Sequence, residues 1–424
     1  LFFITFKHMK YYPLLIALLV ASCAVEPVSD EPQEPDLTTP TPDPPLVTEQ
    51  GAIPCENGMA GAYPCSGYDL LSNISIQSFG SEAGNDNWGW TDPETGKEYV
   101  LAGLDDGTVF VDISDPENPV ILGKLPTASE SSWWRDIKVY KDHAFIVSEA
   151  QNHGLQVFDL TRLREVTSAQ TFTEDARLSA FGNAHNIWIN ESSGYAYVIG
   201  SELFQGGPAF INISNPKNPI LEGGYEKDSY SHDVQVVNYN GPDSQFHDRE
   251  ILFGSNSDGG ENNQIIIVDV TDKANPEKIS SITYSNGGYT HQGFLTEDHE
   301  YFFLGDELDE LRYGGPTQTR IFDLKSLSNP IIHLNYFWGV SAIDHNGYVK
   351  GDKFYLANYT AGLRVLDISE VANKKITEKG FFDTYPTDNI AKFNGVWNVY
   401  PFFESGVIAI HDIDNGLFLV KAAE

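Results

Sequence analysis

Tyr99–Pro119 reads YVLAGLDDGTVFVDISDPENP, and this stretch decides the fold. An apolar strand ends in acidic residues, and a turn containing glycine follows. A second apolar strand then closes on Asp-Ile-Ser just before Asn-Pro. Val, Tyr and Phe on either side of Asp and Gly are the signature of two short strands paired antiparallel. The cassette returns in Ala196–Pro219 (AYVIGSELFQGGPAFINISNPKNP) and Ile251–Pro276 (ILFGSNSDGGENNQIIIVDVTDKANP). It appears again in Phe354–Asn373 (FYLANYTAGLRVLDISEVAN). Roughly seven copies at roughly 40–60 residues each mean one supersecondary unit stacked many times.

Each unit reads as four strands. In one copy they are A (His185–Ile189), B (Tyr195–Gly200), C (Ala209–Ile213) and D (Ile220–Tyr225). Units begin near Asp86, Arg135, His185, His232, His291, His345 and Gly395. Four-stranded antiparallel blades repeated radially predict an all-β, seven-bladed β-propeller whose A strands line a central channel. The last unit ends at Gly416–Val420 with no room for strand D. The segment Asp69–Phe79 (DLLSNISIQSF) lies upstream of the first blade and can complete the last one, removing an open edge. A linear solenoid would expose an edge at each end, and no capping repeats are evident.

The beginning of the chain has a different character. Met9 reads as a start site, with residues 1–8 an upstream extension. Lys10, the apolar run Leu14–Ala21 and Val20-Ala21-Ser22-Cys23 resemble a lipoprotein signal ending in a lipobox, with Cys23 as the lipidated residue. The apolar run is too short to span a bilayer. The first domain is thus residues 1–22, followed by a proline- and acid-rich tether over 23–53 and the propeller over 54–424. The tether has too few large apolar side chains to fold. This predicts an exported bacterial lipoprotein at the outer membrane or cell surface, attached to the membrane through Cys23. Of three cysteines, that leaves Cys55 and Cys65, for which an oxidising compartment favours a disulfide.

The 60 acidic and 26 basic residues give a net charge of −34, which argues against a nucleic-acid partner. Neither G-x-S-x-G, H-E-x-x-H nor a glycine-rich phosphate loop occurs, and EF-hand spacing is absent. The DISDP and NISNP strings read as Asx and proline turns between strands C and D.

Longer strings identify a relationship. CENGMAGAYPC, NWGWTDPETGKEYVLAG, WWRDIKVYKDHAFIVSEAQNHGLQVFDLTRLRE and AHNIWINESSGYAYVIG resemble the choice-of-anchor B family of bacterial surface proteins, built from LVIVD-type repeats. YTHQGFLTEDHEYFFLGDELDE, AIDHNGYVKGDKFYLANYTAGLRVLDIS and FNGVWNVYPFF extend the resemblance over residues 54–420. It implies the propeller fold and surface attachment, and no particular reaction or ligand.

Alignment of the units brings four of the eleven histidines into one register. His185, His232, His291 and His345 each start strand A, with Asp86, Arg135 and Gly395 in the same slot elsewhere. The B–C turns reach the same face, since strand B returns antiparallel to A. They carry Asp105-Asp106, Ser148-Glu149, Ser201-Glu202, Ser255-Asn256, Asp306-Glu307, Asn358-Tyr359 and His411-Asp412. Imidazole with carboxylate is a ligand set for zinc, iron, nickel or copper. The acidic Leu304–Glu310 string can offer oxygen to calcium or support the histidines. The opposing reading is structural, with each histidine bonded to a turn carboxylate to hold the blades. Arg135 can grip a carboxylate-bearing ligand, or pair with Asp86 or another turn acid. Trp88, Trp90 and Trp397 are expected near the same face, where they can stack on a sugar or pack inner strands.

The leading functional expectation is a binding or scaffold module, with a metal or small-molecule or glycan site at the channel mouth. The alternative is a metal-dependent hydrolase or other enzyme, with a histidine-bound ion activating water and Asp306, Glu307 or Glu149 as general base. A third class is a platform for surface proteins that uses neither metal nor pocket.

Overall fold

Antiparallel sheets arranged in a ring account for nearly every strand of the molecule. The computed structural model describes residues 50–257, 259 and 262–423. The expected signal segment, Cys23 and the expected tether through residue 49 lie outside the described residues. Seven sheets follow one another in chain order. Their innermost strands are Gly84–Thr91, Arg135–Tyr140, Asn186–Asn190, Ser231–Asn238, Thr290–Leu295, Gly347–Lys350 and Val396–Tyr400. Each inner strand packs beside the next, and the last packs beside the first. The seven-bladed propeller expected from the repeat is the fold, and we number the blades 1–7 in that order.

Burial follows position within a blade. The second strand lies between two other strands and between two neighbouring blades. Glu98–Leu104 in blade 1 and Tyr301–Asp306 in blade 5 are therefore buried along their whole length. Such doubly covered strands read as continuous apolar runs, which is why YVLAG and YFFLG stand out in the sequence. The outermost strands, such as Glu277–Thr283, are largely exposed. The cores are mainly interblade layers. Phe110 of blade 1 stacks on Phe158 of blade 2 at 4.5 Å, for example.

The C–D connections are Asx turns. Asp112 Oδ1 accepts from Ser114 N (2.9 Å), and Asp115 Oδ1 accepts from Glu117 N (3.2 Å). Asn212 with Ser214, Asp269 with Thr271, and Asp367 with Ser369 repeat the first contact. A side-chain oxygen that satisfies the backbone two residues on fixes the turn without glycine. The recurring D-I-S and N-I-S strings encode that contact.

Closure takes place in blade 7. Tyr68–Ile74 pairs antiparallel with Gly416–Ala422, running from Tyr68 opposite Ala422 to Ile74 opposite Leu417. Residues 75–79 of the expected closing segment turn away into a short helix, Ile76–Phe79, capped by Ser75 and Gly80. Gln50–Ile53, expected to be the end of the tether, adds a fifth strand beside Tyr68–Ile74. The hairpin of Met59–Ala60 and Tyr63–Ser66 extends blade 6, with Cys65 opposite Phe382. The Cys55–Cys65 disulfide ties this arm together. Cys55 N also donates to Asp69 Oδ1 (2.7 Å), so the arm braces the closing strand.

Two changes test this closure. The disulfide joins cysteines ten residues apart, and opening a loop of that size costs about 3 kcal/mol. Equilibrium unfolding with and without reductant should show that loss. Leu70, fully buried in the closing strand, should lose about 2–5 kcal/mol on Leu70→Ala. Unchanged unfolding midpoints in both would show that the ring does not depend on its amino-terminal arm.

Candidate functional site

The starts of strand A in blades 3 to 6, or the residues just before them, deliver four imidazoles in a row to one mouth of the channel. Ring centroids are 4.3 Å apart for His185–His232, 4.0 Å for His232–His291 and 4.3 Å for His291–His345. His232, His291 and His345 are buried, while His185 is partly covered and leads outward to the more exposed Glu149.

Hydrogen bonds fix most of the ring nitrogens. His232 Nδ1 faces the carbonyl of His291 at 2.9 Å, and His345 Nδ1 bonds the carbonyl of Trp397. A carbonyl only accepts, so both rings carry hydrogen on Nδ1 and a lone pair on Nε2. His185 Nε2 lies 2.6 Å from His232 Nε2, and His185 Nδ1 lies 2.6 Å from Glu149 Oε1. Both nitrogens of His185 must then donate, which makes it an imidazolium between a carboxylate and a lone pair. Burial opposes that charge, but the hydrogen bond and charge of Glu149, aided by Glu307, outweigh it and raise the His185 pKa. Burial and the neighbouring imidazoles push His232 and His291 well below the ordinary histidine range. Burial takes His345 down to about 3.

His291, Glu307 and His345 bring one ligand atom each within 4.8 Å of one another. Glu307 Oε1 is 3.7 Å from His291 Nε2 and 3.7 Å from His345 Nε2. These separations are too long for hydrogen bonds. They are a few tenths of an ångström wider than the roughly 3.3 Å between ligands of a tetrahedral ion at about 2.0–2.1 Å. Tyr359 OH donates to Glu307 Oε1 at 2.9 Å and fixes its rotamer. Burial lifts the Glu307 carboxyl to about 7. Two imidazoles and one carboxylate suit zinc or non-haem iron. Ile343, Tyr359, Ile413, Phe393 and Trp397 form an apolar cluster beside this triplet.

The other expected site residues have other work. Asp306 spends its carboxylate on the N–H groups of Gly288 and Tyr289 and on Tyr284 OH, shaping the turn that holds Glu307. Glu202 is exposed and accepts from Gly182 N. Asp86 belongs to a deeper layer, where Oδ2 accepts from Ile137 N (3.1 Å) and lies 3.5 Å from Lys138. Asp136 repeats that contact with Ile187 N, so Asp86 shares the register of Asp136. The irregular pairing between Gly84 and Asn87 displaces the count by one.

Arg135 is not paired with Asp86: its Nε donates to Leu104 O (3.0 Å), and one terminal nitrogen meets His153 Nε2 (3.1 Å). Trp397, not Gly395, follows His345 in the ring, with its indole 5.0 Å from that imidazole. Trp90 packs on Tyr99 and bonds Asp142, away from the mouth. Trp88 lies under Lys138 among Tyr348, Tyr400 and Phe402.

LVIVD repeats are present at residues 99–127, 181–227 and 348–384, within blades 1, 3 and 6. No curated protein matches the sequence. Among solved structures, the chain resembles the Cps50 (Swd1) β-propeller domain of Myceliophteria thermophila at 12% identity and TM-score 0.50, over 83% of this chain and 98% of that one. Hydrazine synthase of Kuenenia stuttgartiensis matches at 12% identity and TM-score 0.54, over 77% and 92%. A protein of unknown function from Desulfotomaculum acetoxidans matches at 10% identity and TM-score 0.50, over 81% and 98%. At such identities the likeness is one of fold alone.

His411, fully buried in blade 7, gives a measurable pH signature. Its Nδ1 bonds Asn85 O (3.0 Å), and burial lowers its pKa to about 4. The unfolded chain takes up a proton here below about pH 6.5 and the folded chain does not. Its contribution to stability is therefore intact above that value and is lost as pH falls toward 4. Relative to His411→Gln, the wild-type protein should lose about 2 kcal/mol between pH 7 and pH 5. A difference that stays constant with pH would mean that the imidazole titrates alike in the folded and unfolded chains.

Proposed function

We propose that this protein is a lipid-anchored surface propeller of the choice-of-anchor B kind that binds a transition-metal ion at the channel mouth. The observation that carries this reading is the triplet of His291 Nε2, Glu307 Oε1 and His345 Nε2. Its separations are too long for hydrogen bonding and close to those of shared coordination. The Nδ1–H of His345 is committed to a backbone carbonyl, the outer contact that fixes a metal-ligating imidazole. His232 is oriented in the same way and stands next in the row, and its Nε2 becomes a further donor once His185 gives up the proton it shares there. Zinc and ferrous iron fit this ligand set, and the module then serves as a binding or scaffold element that presents the ion to a ligand or surface partner.

One observation favours a hydrolytic role for the same face. A carboxyl group held near neutrality, as at Glu307, can accept a proton from an ion-bound water. Saturated coordination in the metal-loaded protein would exclude that role, and an exchangeable water ligand would support it.

Isothermal titration of chelator-stripped full chain with zinc should give one tight site. Binding at pH 7 should release protons from His185 and Glu307, read as an enthalpy that depends on the ionisation heat of the buffer. His291→Ala combined with His345→Ala should weaken binding at least about 100-fold while the circular dichroism spectrum stays propeller-like. Unaltered binding in that variant would end the proposal. The anchor has its own test: Cys23→Ser should move the protein from the membrane fraction to the soluble one, and a variant that stays membrane-bound would remove lipidation as the attachment.

A further inference from the structure

Behind the histidine row is a second cluster made only of oxygen donors. Asp309 and Glu310 follow Glu307 on the B–C turn of blade 5, and Asp344 immediately precedes His345 at the start of blade 6. One carboxylate oxygen from each lies within 4.8 Å of the others. All three side chains are more than nine-tenths buried, and Asp344 is wholly so. Both oxygens of Asp344, Oδ1 of Asp309 and Oε2 of Glu310 receive no hydrogen bond from a surrounding N–H or hydroxyl group, and Asp309 and Glu310 are close enough to share a proton between them. The other two are used, Asp309 Oδ2 by Arg320 (2.7 Å) and Glu310 Oε1 by Gln318 N (3.1 Å). A Cβ on Gly305 would stand 2.9 Å from Asp344 Oδ2, so a side chain there would crowd this carboxylate.

Buried polar atoms are nearly always paired, and buried charge is paired or coordinates a metal. Fully ionised, three carboxylates against one guanidinium would leave an excess of two negative charges, the complement of a divalent ion; with no cation between them, burial and mutual repulsion raise all three carboxyl groups toward the neutral form. Oxygen donors without imidazole or thiolate select hard cations. An ion with oxygen ligands at about 2.4 Å accommodates donors up to roughly 4.8 Å apart.

We propose that Asp309, Glu310 and Asp344 form a site for a hard divalent cation of the calcium class, separate from the transition-metal site. It goes beyond the function proposed above and does not require it. By linking the blade 5 turn to the start of blade 6, the cation fixes the segments from which Glu307 and His345 project. It acts as a positioning element, and touches none of the histidines.

The test uses the full chain, stripped with chelator and followed by thermal unfolding and calorimetric titration with calcium chloride alone. One calcium per chain should bind, and a hundredfold excess over the dissociation constant should raise the unfolding midpoint by about 3–4 °C. Asp344→Asn should abolish that rise and, by relieving like-charge repulsion, leave the stripped protein no less stable than wild type. Glu310→Gln should behave likewise and serves if the first variant does not fold. Calcium binding that persists in both variants, or a wild-type midpoint indifferent to millimolar calcium, would overturn the proposal. The calcium shift should survive His291→Ala with His345→Ala, whereas zinc binding should not. Loss of one response without the other separates failure of this site from failure of the histidine site.

Discussion

The pairing of Tyr68–Ile74 with Gly416–Ala422 is the constraint on which the rest of the molecule depends. The candidate site takes Glu149 from blade 2, His185 from blade 3 and His232 from blade 4. His291 and Glu307 come from blade 5, His345 from blade 6 and the Trp397 carbonyl from blade 7. Its contacts join residues far apart in sequence, 47 positions for His185 with His232 and 52 for His345 with Trp397. Contacts at that range cannot organise themselves locally, because each carries a loop-closure cost before it returns anything. A closed ring meets that cost once for all seven inner strands. An open arc would leave the edge of Gly416–Ala422 exposed and the inner strands free to splay. The disulfide and the strands flanking Tyr68–Ile74 protect the one join that sequence continuity does not provide.

Inside the ring, charge is placed in layers. Lys138 sits between Asp136 and Asp86, over the face of Trp88 at 4.5 Å. Above it, the imidazolium of His185 is held by Glu149. Removal of such groups from water is costly, and close opposite charge offsets that cost. The departures from this rule therefore carry information. Among the described residues, Asp344, Asp309 and Glu310 are the buried carboxyl groups with oxygens that lack an N–H or hydroxyl donor. Glu307 and its two histidines stand apart at 3.7 Å when shorter contacts are common throughout the structure.

The sequence made the architecture legible because every blade repeats the same local rules. Strand B reads as an apolar run, the Asx turn follows strand C, and glycine or acid marks the B–C turn. The four histidines were legible for the same reason, each opening a strand A. What escaped was whatever the repeat does not encode. Asp86 fell out of register because irregular pairing in strand A adds a residue that composition does not mark. Trp397 hid behind Gly395 in a similar way, beside the irregular pairing of Val396 and Asn398. The partner of Arg135 is His153, which lies in a turn outside the aligned register. The role of Gln50–Ile53 depends on a neighbour supplied by closure itself. Asp344 carries no sequence signal of its own, since only the folded ring sets it against Asp309 and Glu310.

The asymmetry of the mouth bears on what the histidines are for. If their task were to tie neighbouring blades, the same task would need doing at every interface. At several interfaces it is done by shorter side chains. Asp86 reaches Ile137 N, Asp136 reaches Ile187 N, Asn186 reaches the carbonyl of His232, and Asn398 reaches the backbone of Asn87. Carboxylate and amide struts thus suffice, and one of them operates beside the histidines themselves. Imidazole adds to such a strut a second nitrogen, directed away from the bond that anchors the first. In His345 that nitrogen faces Glu307, and in His232 it faces His185. His345 in particular is anchored through Nδ1 and directs its other nitrogen at Glu307, a pairing that a structural strut does not need and that favours a ligand-binding role over one of holding the ring.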